Sequence, residues 1–294
     1  VEIAGDATLM GGAIPGWLLT ALVAATVFTV MFTVGLSIVL GELKWIWQRP
    51  APMVRGLFAV LIAVPALALV ISRALELPRF SEIGLVLMAI APGAPVALRR
   101  SLEAGGHHAF APSLQIGVAV LAVVSMPLSI AALNHLYGGH ASISPWDVAR
   151  QVCVAQLLPL ALGMGVRKSG ASLAMRIEPR LRQVSAGLLV AVLALVLIDT
   201  WRTLLDANPR ALAAIALTLG AALAAGHWLG GPEPAMRTAV AISSAARNPG
   251  LALLVATVNH APSEVTAVIL AYLVVAVFGI VPYIAWRRRA EGSG

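Results

Sequence analysis

Cysteine is almost missing from these 294 residues, and the single Cys153 excludes an intramolecular disulfide framework and any multi-cysteine metal site. It reads as a small buried apolar residue. Charge is scarce at 11% of residues, so most of the chain has no polar face to turn toward water. No HExxH, GxSxG or Walker pattern occurs, which removes the sequence support for an intramembrane hydrolase or an ATP-driven pump; an enzyme is not expected. The histidines at 107, 108, 135, 140, 227 and 260 are scattered near segment ends without metal-ligand spacing, so no metal and no cofactor is expected. His107 and His108 read as solvated loop residues. The first sixteen residues carry Glu2 and Asp6 and no basic stretch, so no cleavable signal peptide is expected.

Apolar residues fill the space instead. They make up 60% of the chain, mean hydropathy is +0.91, and lipid is the solvent that composition demands. The net charge of +7 does not point to nucleic acid, because the basic residues sit between apolar runs instead of clustering on a polar domain. About 20 apolar residues cross a bilayer, and nine runs qualify: A at 17–40, B at 56–74, C at 81–103, D at 110–136, E at 147–166, F at 184–201, G at 210–229, H at 236–259 and I at 264–286. They are rich in Ala and Leu without two-residue alternation, so they are helices, and the fold class is an all-α polytopic membrane protein. A short segment, 1–16, precedes the transmembrane domain 17–286, and a tail, 287–294, follows it.

Alternating sides place fourteen Lys and Arg residues on one face, including Lys44, Arg49, Arg55, Arg99, Arg100, the Arg167–Arg182 stretch, Arg237 and Arg287–Arg289, against five on the other, with Arg247 left inside span H. The positive-inside rule then puts the N-terminus outside and the C-terminus in the cytoplasm. The expected location is a bacterial inner membrane. Leu43-Lys44-Trp45-Ile46-Trp47 reads as an interfacial anchor. The basic stretch and tail read as topology signals before lipid or partner sites, and Gly226-x-x-x-Gly230 as a packing motif.

Two spans carry proline where a helix least tolerates it: Pro92-Gly93-Ala94-Pro95 in C and Arg247-Asn248-Pro249-Gly250 in H. Proline removes a backbone hydrogen bond and clashes with the preceding turn, so both spans should break near the middle. Each new half-helix is expected to start at Pro95 or Pro249. Pro78 precedes Pro95 by 17 residues and Pro232 precedes Pro249 by 17, and C and H run in opposite directions. That pattern is an inverted repeat in which B, C and D match G, H and I, A matches F, and E lacks a partner. Discontinuous antiparallel helices in corresponding positions make a midplane binding site.

Arg247 is the intramembrane charge, and such a residue costs roughly 2.5–3.5 kcal/mol on insertion scales. No span has Asp or Glu at its centre, since Glu82, Glu103 and Asp199 lie near span ends. Arg247 therefore pairs with half-helix carbonyls, meets an end carboxylate, or awaits an anion. Ser243, Ser244 and Asn248 supply neutral oxygens beside it. Gln156 and Pro159 in span E are candidates for the cleft or for packing.

At these residues the chain resembles the bile acid:sodium symporter family: Met31-Phe32-Thr33-Val34-Gly35-Leu36 in A, Ala91-Pro92-Gly93-Ala94-Pro95 in C, and Arg247-Asn248-Pro249-Gly250-Leu251-Ala252 in H, in the same order over nearly the whole chain. The resemblance implies a panel domain (17–40 and 147–201), a core domain (56–136 and 210–286) with two crossed discontinuous helices, and alternating access between them. It also implies that the sodium-site positions of the family are lost here at Val60, Ala97, Leu98, Ser243 and Arg247. The expected function is a secondary transporter of organic anions (bile-acid-like or small carboxylates), not sodium-coupled in the family's usual way. The alternatives are a sodium symporter with a rebuilt ion site and a non-transporting membrane sensor. The expected substrate site comprises Arg247, Asn248, Ser243 and Ser244 with Ala94 and Pro95 from the first break.

Overall fold

A backbone in hydrocarbon must satisfy its own hydrogen bonds, and among the described residues the chain does so almost entirely by helix. The computed structural model describes residues 8–9, 14–38, 41, 49–136, 144–205 and 208–292. The 43–47 anchor, Glu2, Asp6 and His140 lie outside these residues, as do the side chains of Pro95, Asp199 and Arg202. A short antiparallel pair, β1 (Thr8–Leu9) and β2 (Ile14–Pro15), precedes the helices. The helices are α1 (Gly16–Ser37), α2 (Pro50–Ala74), α3 (Arg79–Ile90), α4 (Pro95–Glu103), α5 (Phe110–Leu136), α6 (Pro145–Ser169), α7 (Ala171–Leu205), α8 (Pro209–Leu229), α9 (Pro234–Ala245), α10 (Pro249–Val258), α11 (Ser263–Gly279) and α12 (Val281–Gly292).

Proline begins many of them. Pro50, Pro95, Pro145, Pro209, Pro234 and Pro249 each occupy the first helical position, where a missing N–H costs nothing and the fixed φ suits the helix. Ser144 and Asn208 complete two of these starts, accepting from the amides of Asp147 and Arg210.

Among the described residues, eight segments are long and apolar enough to cross a bilayer: α1, α2, α5, α6, α7, α8, the α9–α10 pair and the α11–α12 pair. The expected span C is not among them: it is two helices of 12 and 9 residues, α3 and α4, separated by Ala91–Ala94, and its second half carries Arg99, Arg100 and Glu103. Its counterpart divides into α9 and α10, of 12 and 10 residues. The protein is thus an all-α polytopic membrane protein with discontinuous helices. The basic stretch 167–182, which lies between the expected spans E and F, is itself helical. Only Gly170 separates α6 from α7, and α7 runs on through Pro179 for 35 residues. Ala, Leu, Arg and Glu are strong helix formers, and Glu178 pairs with Arg182 one turn on at 3.5 Å.

α1 packs chiefly on α6 and α7. Its closest contact with α6 is between glycines: a Cβ on Gly35 would strike the Leu160 carbonyl, and one on Gly163 the Phe32 carbonyl. Thr33 and Ser185 share a hydrogen bond of 3.1 Å between α1 and α7. Gly226 and Gly230 do the packing expected of them, each lying against the α9 backbone at Ala241 and Arg237. Cys153 is exposed, contrary to the buried position expected. The outward face of a lipid-bathed helix is as apolar as the inward one, so hydrophobicity alone does not assign a side.

One end of the molecule gathers several helix termini. Arg49 meets Glu233 at 2.9 Å, Arg288 donates to the Glu103 carbonyl, and the His107 amide donates to the Ala235 carbonyl. His107 is not simply solvated, since its Nδ1 accepts from the amides of Ala109 and Phe110 and caps α5. His108 is exposed as expected. α4 therefore ends where α9 begins, and the two broken segments run in opposite directions.

Candidate functional site

The two breaks meet. The Asn248 amide donates to the Ala91 carbonyl at 3.0 Å, joining the short extended links that interrupt α3–α4 and α9–α10. The first link turns through Gly93, whose φ of +82° suits glycine. The Asn248 side chain caps the half-helix that follows, its Oδ1 accepting from the Leu251 amide at 3.1 Å. Among the described residues its Nδ2 has no partner.

Arg247 is 3% exposed and turns inward at this crossing. Its Nη1 donates to the Val60 carbonyl of α2 at 2.9 Å, while Nε and Nη2 have no hydrogen-bond acceptor among the described residues. The availability of that carbonyl follows from sequence. Residues Ala59–Ala63 form a π-turn in which Val64 bonds back five residues to Ala59. In the same register the amide partner of Val60 would be residue 65, which is Pro65 and has no N–H. The proline that widens the helix thus frees a carbonyl, and Arg247 takes it. Tyr272 of α11 stands beside the guanidinium and donates its hydroxyl to the Ala245 carbonyl at 3.0 Å, fixing the end of α9.

No described carboxylate reaches Arg247. Glu82 pairs with Arg73, Glu103 with Arg99, Glu178 with Arg182 and Glu233 with Arg49. The carbonyl that holds Arg247 belongs to α2 and not to a half-helix, the source expected from sequence, and no described end carboxylate takes its place.

Two amides close the other side of the first break. Gln115 of α5 donates to the Gly93 carbonyl at 3.0 Å, and Gln156 of α6 donates to the Ala119 carbonyl at 3.3 Å. Both side-chain nitrogens lie 3.7 Å from the point where a Cβ on Gly93 would stand. Gln156 is fully buried, and its Oε1 has no partner among the described residues. It lies in a second π-turn, Cys153–Leu157, followed by Pro159 in the way the first is followed by Pro65.

Of the candidates from sequence, Arg247 and Asn248 lie at the crossing, and Ala94 is buried directly before α4. Pro95 opens α4. Ser243 and Ser244 are buried on the last turn of α9, and Ser244 Oγ faces Gly226 of the neighbouring helix. Ala97 is buried in α4, and Leu98 packs against the apolar cluster of Val60 and Leu114. Gln115, Tyr272 and the Val60 carbonyl were not foreseen. The first two were visible as an amide near the start of span D and a phenol midway along span I; a free carbonyl has no side-chain signature.

The Pro65–Val60–Arg247 linkage is testable by stability alone. Pro65→Ala supplies an amide that competes for the Val60 carbonyl. In a double-mutant cycle with Arg247→Ala, thermal unfolding is expected to reveal a coupling of about 1–2 kcal/mol between the two positions. Additive effects would show that Pro65 does not act through that carbonyl.

The profile of the Sodium Bile acid symporter family matches residues 24–206, more than half the chain. The chain is also similar to the P3 protein of Homo sapiens and that of Mus musculus, in each case 27% identical over 134 residues. The match covers 45% of this chain and 28% of either relative, so it spans less than a third of their length. The discontinuous helices, their crossing and the family match together establish that this protein belongs to the sodium bile acid symporter family, a family of membrane transporters.

Proposed function

We propose that the protein carries organic anions by alternating access without sodium coupling, and that Arg247 serves as a tethered cation where a relative would bind a mobile one. The observation that carries this reading is the buried guanidinium at the crossing of the two breaks, held by a backbone carbonyl and by no described carboxylate. A fixed positive charge there stabilises the crossover permanently and favours a negatively charged substrate nearby. Ala97 and Leu98 have no side-chain oxygen to offer sodium.

In this reading the segment 79–103 is a ninth, broken span. α1, α6 and α7 form the panel, and the remaining spans form the core that rocks against it. The packing of α1 on α6 and α7 supports the division. The N-terminus lies outside and the basic end inside a bacterial inner membrane. The substrate is a bile-acid-like or small carboxylate bound near Arg247, Asn248, Ser243, Ser244, Ala94 and Pro95.

The test is uptake of a panel of carboxylate and sulfonate anions into proteoliposomes, in sodium and in potassium buffers. Rates are expected to agree within about twofold, far below the tenfold that 1.4 kcal/mol of coupling would produce. Strong sodium dependence would overturn the uncoupled mechanism. Retained anion binding with no flux would instead identify a sensor.

A further inference from the structure

We propose that the turn joining α8 to α9 is a binding site for the phosphate headgroup of an anionic phospholipid. Arginines from distant parts of the chain converge there. Arg55, on the first turns of α2, brings Nη1 within 3.1 Å of the point where a Cβ on Gly231 would stand. Arg237 of α9 donates Nε to the carbonyl of the same glycine at 2.5 Å. Arg287 of α12 donates to the Thr238 hydroxyl at 2.7 Å and to the Pro234 carbonyl at 3.2 Å. The one carboxylate in the turn is Glu233, and Arg49 takes it.

Arg237 and Arg287 are held at the turn by carbonyl and hydroxyl oxygens and Arg55 stands beside them, and like charges gathered at one turn repel. Arg55 is exposed and makes no hydrogen bond among the described residues, so it has donors to give. A phosphate oxygen would satisfy them and neutralise the cluster with charge-assisted bonds.

The surroundings identify which phosphate. Trp228 is 80% exposed at the last turn of α8, and Trp286 is 52% exposed on α12. Trp286 packs with His227 and Tyr283 at ring separations of 5.3 and 5.7 Å, and Arg287 lies over its ring at 5.6 Å. Exposed amphipathic aromatics at the end of apolar helices stand at headgroup depth. An anion arriving there laterally, in the plane of the bilayer, is a lipid, and basic clusters at that level recognise anionic headgroups.

The test uses the purified full-length protein in uncharged detergent and reads its thermal unfolding midpoint. Phosphatidylglycerol is expected to raise the midpoint on the order of 5 °C at saturation, with phosphatidylcholine and millimolar inorganic phosphate producing no comparable shift. Arg55→Gln is expected to weaken the phosphatidylglycerol response about fivefold while leaving the lipid-free midpoint unchanged or higher. Arg180→Gln, an exposed arginine of α7 outside the turn, is expected to respond as the unaltered protein does. An equal response to phosphatidylcholine, or an equal loss in Arg180→Gln, would overturn the site. A shift reproduced by inorganic phosphate would overturn the lipid as its occupant.

Discussion

Replacing Arg247 by alanine is expected to lower anion uptake by about tenfold to a hundredfold, the range set by losing a hydrogen bond to a charged group. The substitution removes a positive charge from the crossing and leaves the Val60 carbonyl, already deprived of an amide by Pro65, with no partner. Arg247→Lys is expected to recover part of the rate. It keeps the charge, although a compact ammonium on a shorter stem reaches that carbonyl less well than the guanidinium fork. Arg247→Gln keeps a donor but no charge and should resemble alanine. Added guanidinium ion should rescue the alanine variant and not the lysine one, because only alanine leaves a space of the right shape. Uptake assays on purified variants, normalised to the folded fraction, read all of these. If alanine transports at the original rate, the tethered cation is a packing element and the proposed chemistry fails.

Gly163→Val is expected to destabilise the protein by more than about 3 kcal/mol, lowering the unfolding midpoint on the order of 10 °C. The α1–α6 contact is backbone against backbone, with the Gly163 and Gly35 Cα atoms on opposite sides of the approach. A flexible side chain would yield to an added methyl; a carbonyl in a helix cannot without moving the helix. The control is two residues away. Gly165 faces open space, so Gly165→Val is expected to stay within about 0.5 kcal/mol apart from the loss of helix propensity common to both. Equal losses at 163 and 165 would mean that close approach is not what the glycine provides. Because α1 and α6 belong to the proposed panel, Gly163→Val should also reduce uptake in whatever fraction remains folded.

Much of the fold was legible because proline and charge are conspicuous in an apolar chain. The equal spacings from Pro78 to Pro95 and from Pro232 to Pro249 identified two related breaks, and both half-helices begin where proline allows. Arg247 stood out for the same reason. What escaped was written in backbone or in faces. The Val60 carbonyl becomes available only through a change of helical register, and Gln115 becomes significant only once α5 lies against Gly93. His107 looked like a loop residue because capping depends on where the next helix starts. Cys153 was assigned inward because lipid removes the contrast between polar and apolar faces from which orientation is read in water-soluble helices.

Position for position, Gly93 of the first break corresponds to Arg247 of the second, and Ala94 to Asn248. One half of the crossover is electrically blank and the other carries the charge and the cap. In a rocking mechanism the two halves exchange roles as the site turns from one side of the membrane to the other. A structural symmetry burdened on one side no longer holds the two states at equal energy, so this carrier is expected to rest facing a preferred compartment even when no gradient drives it.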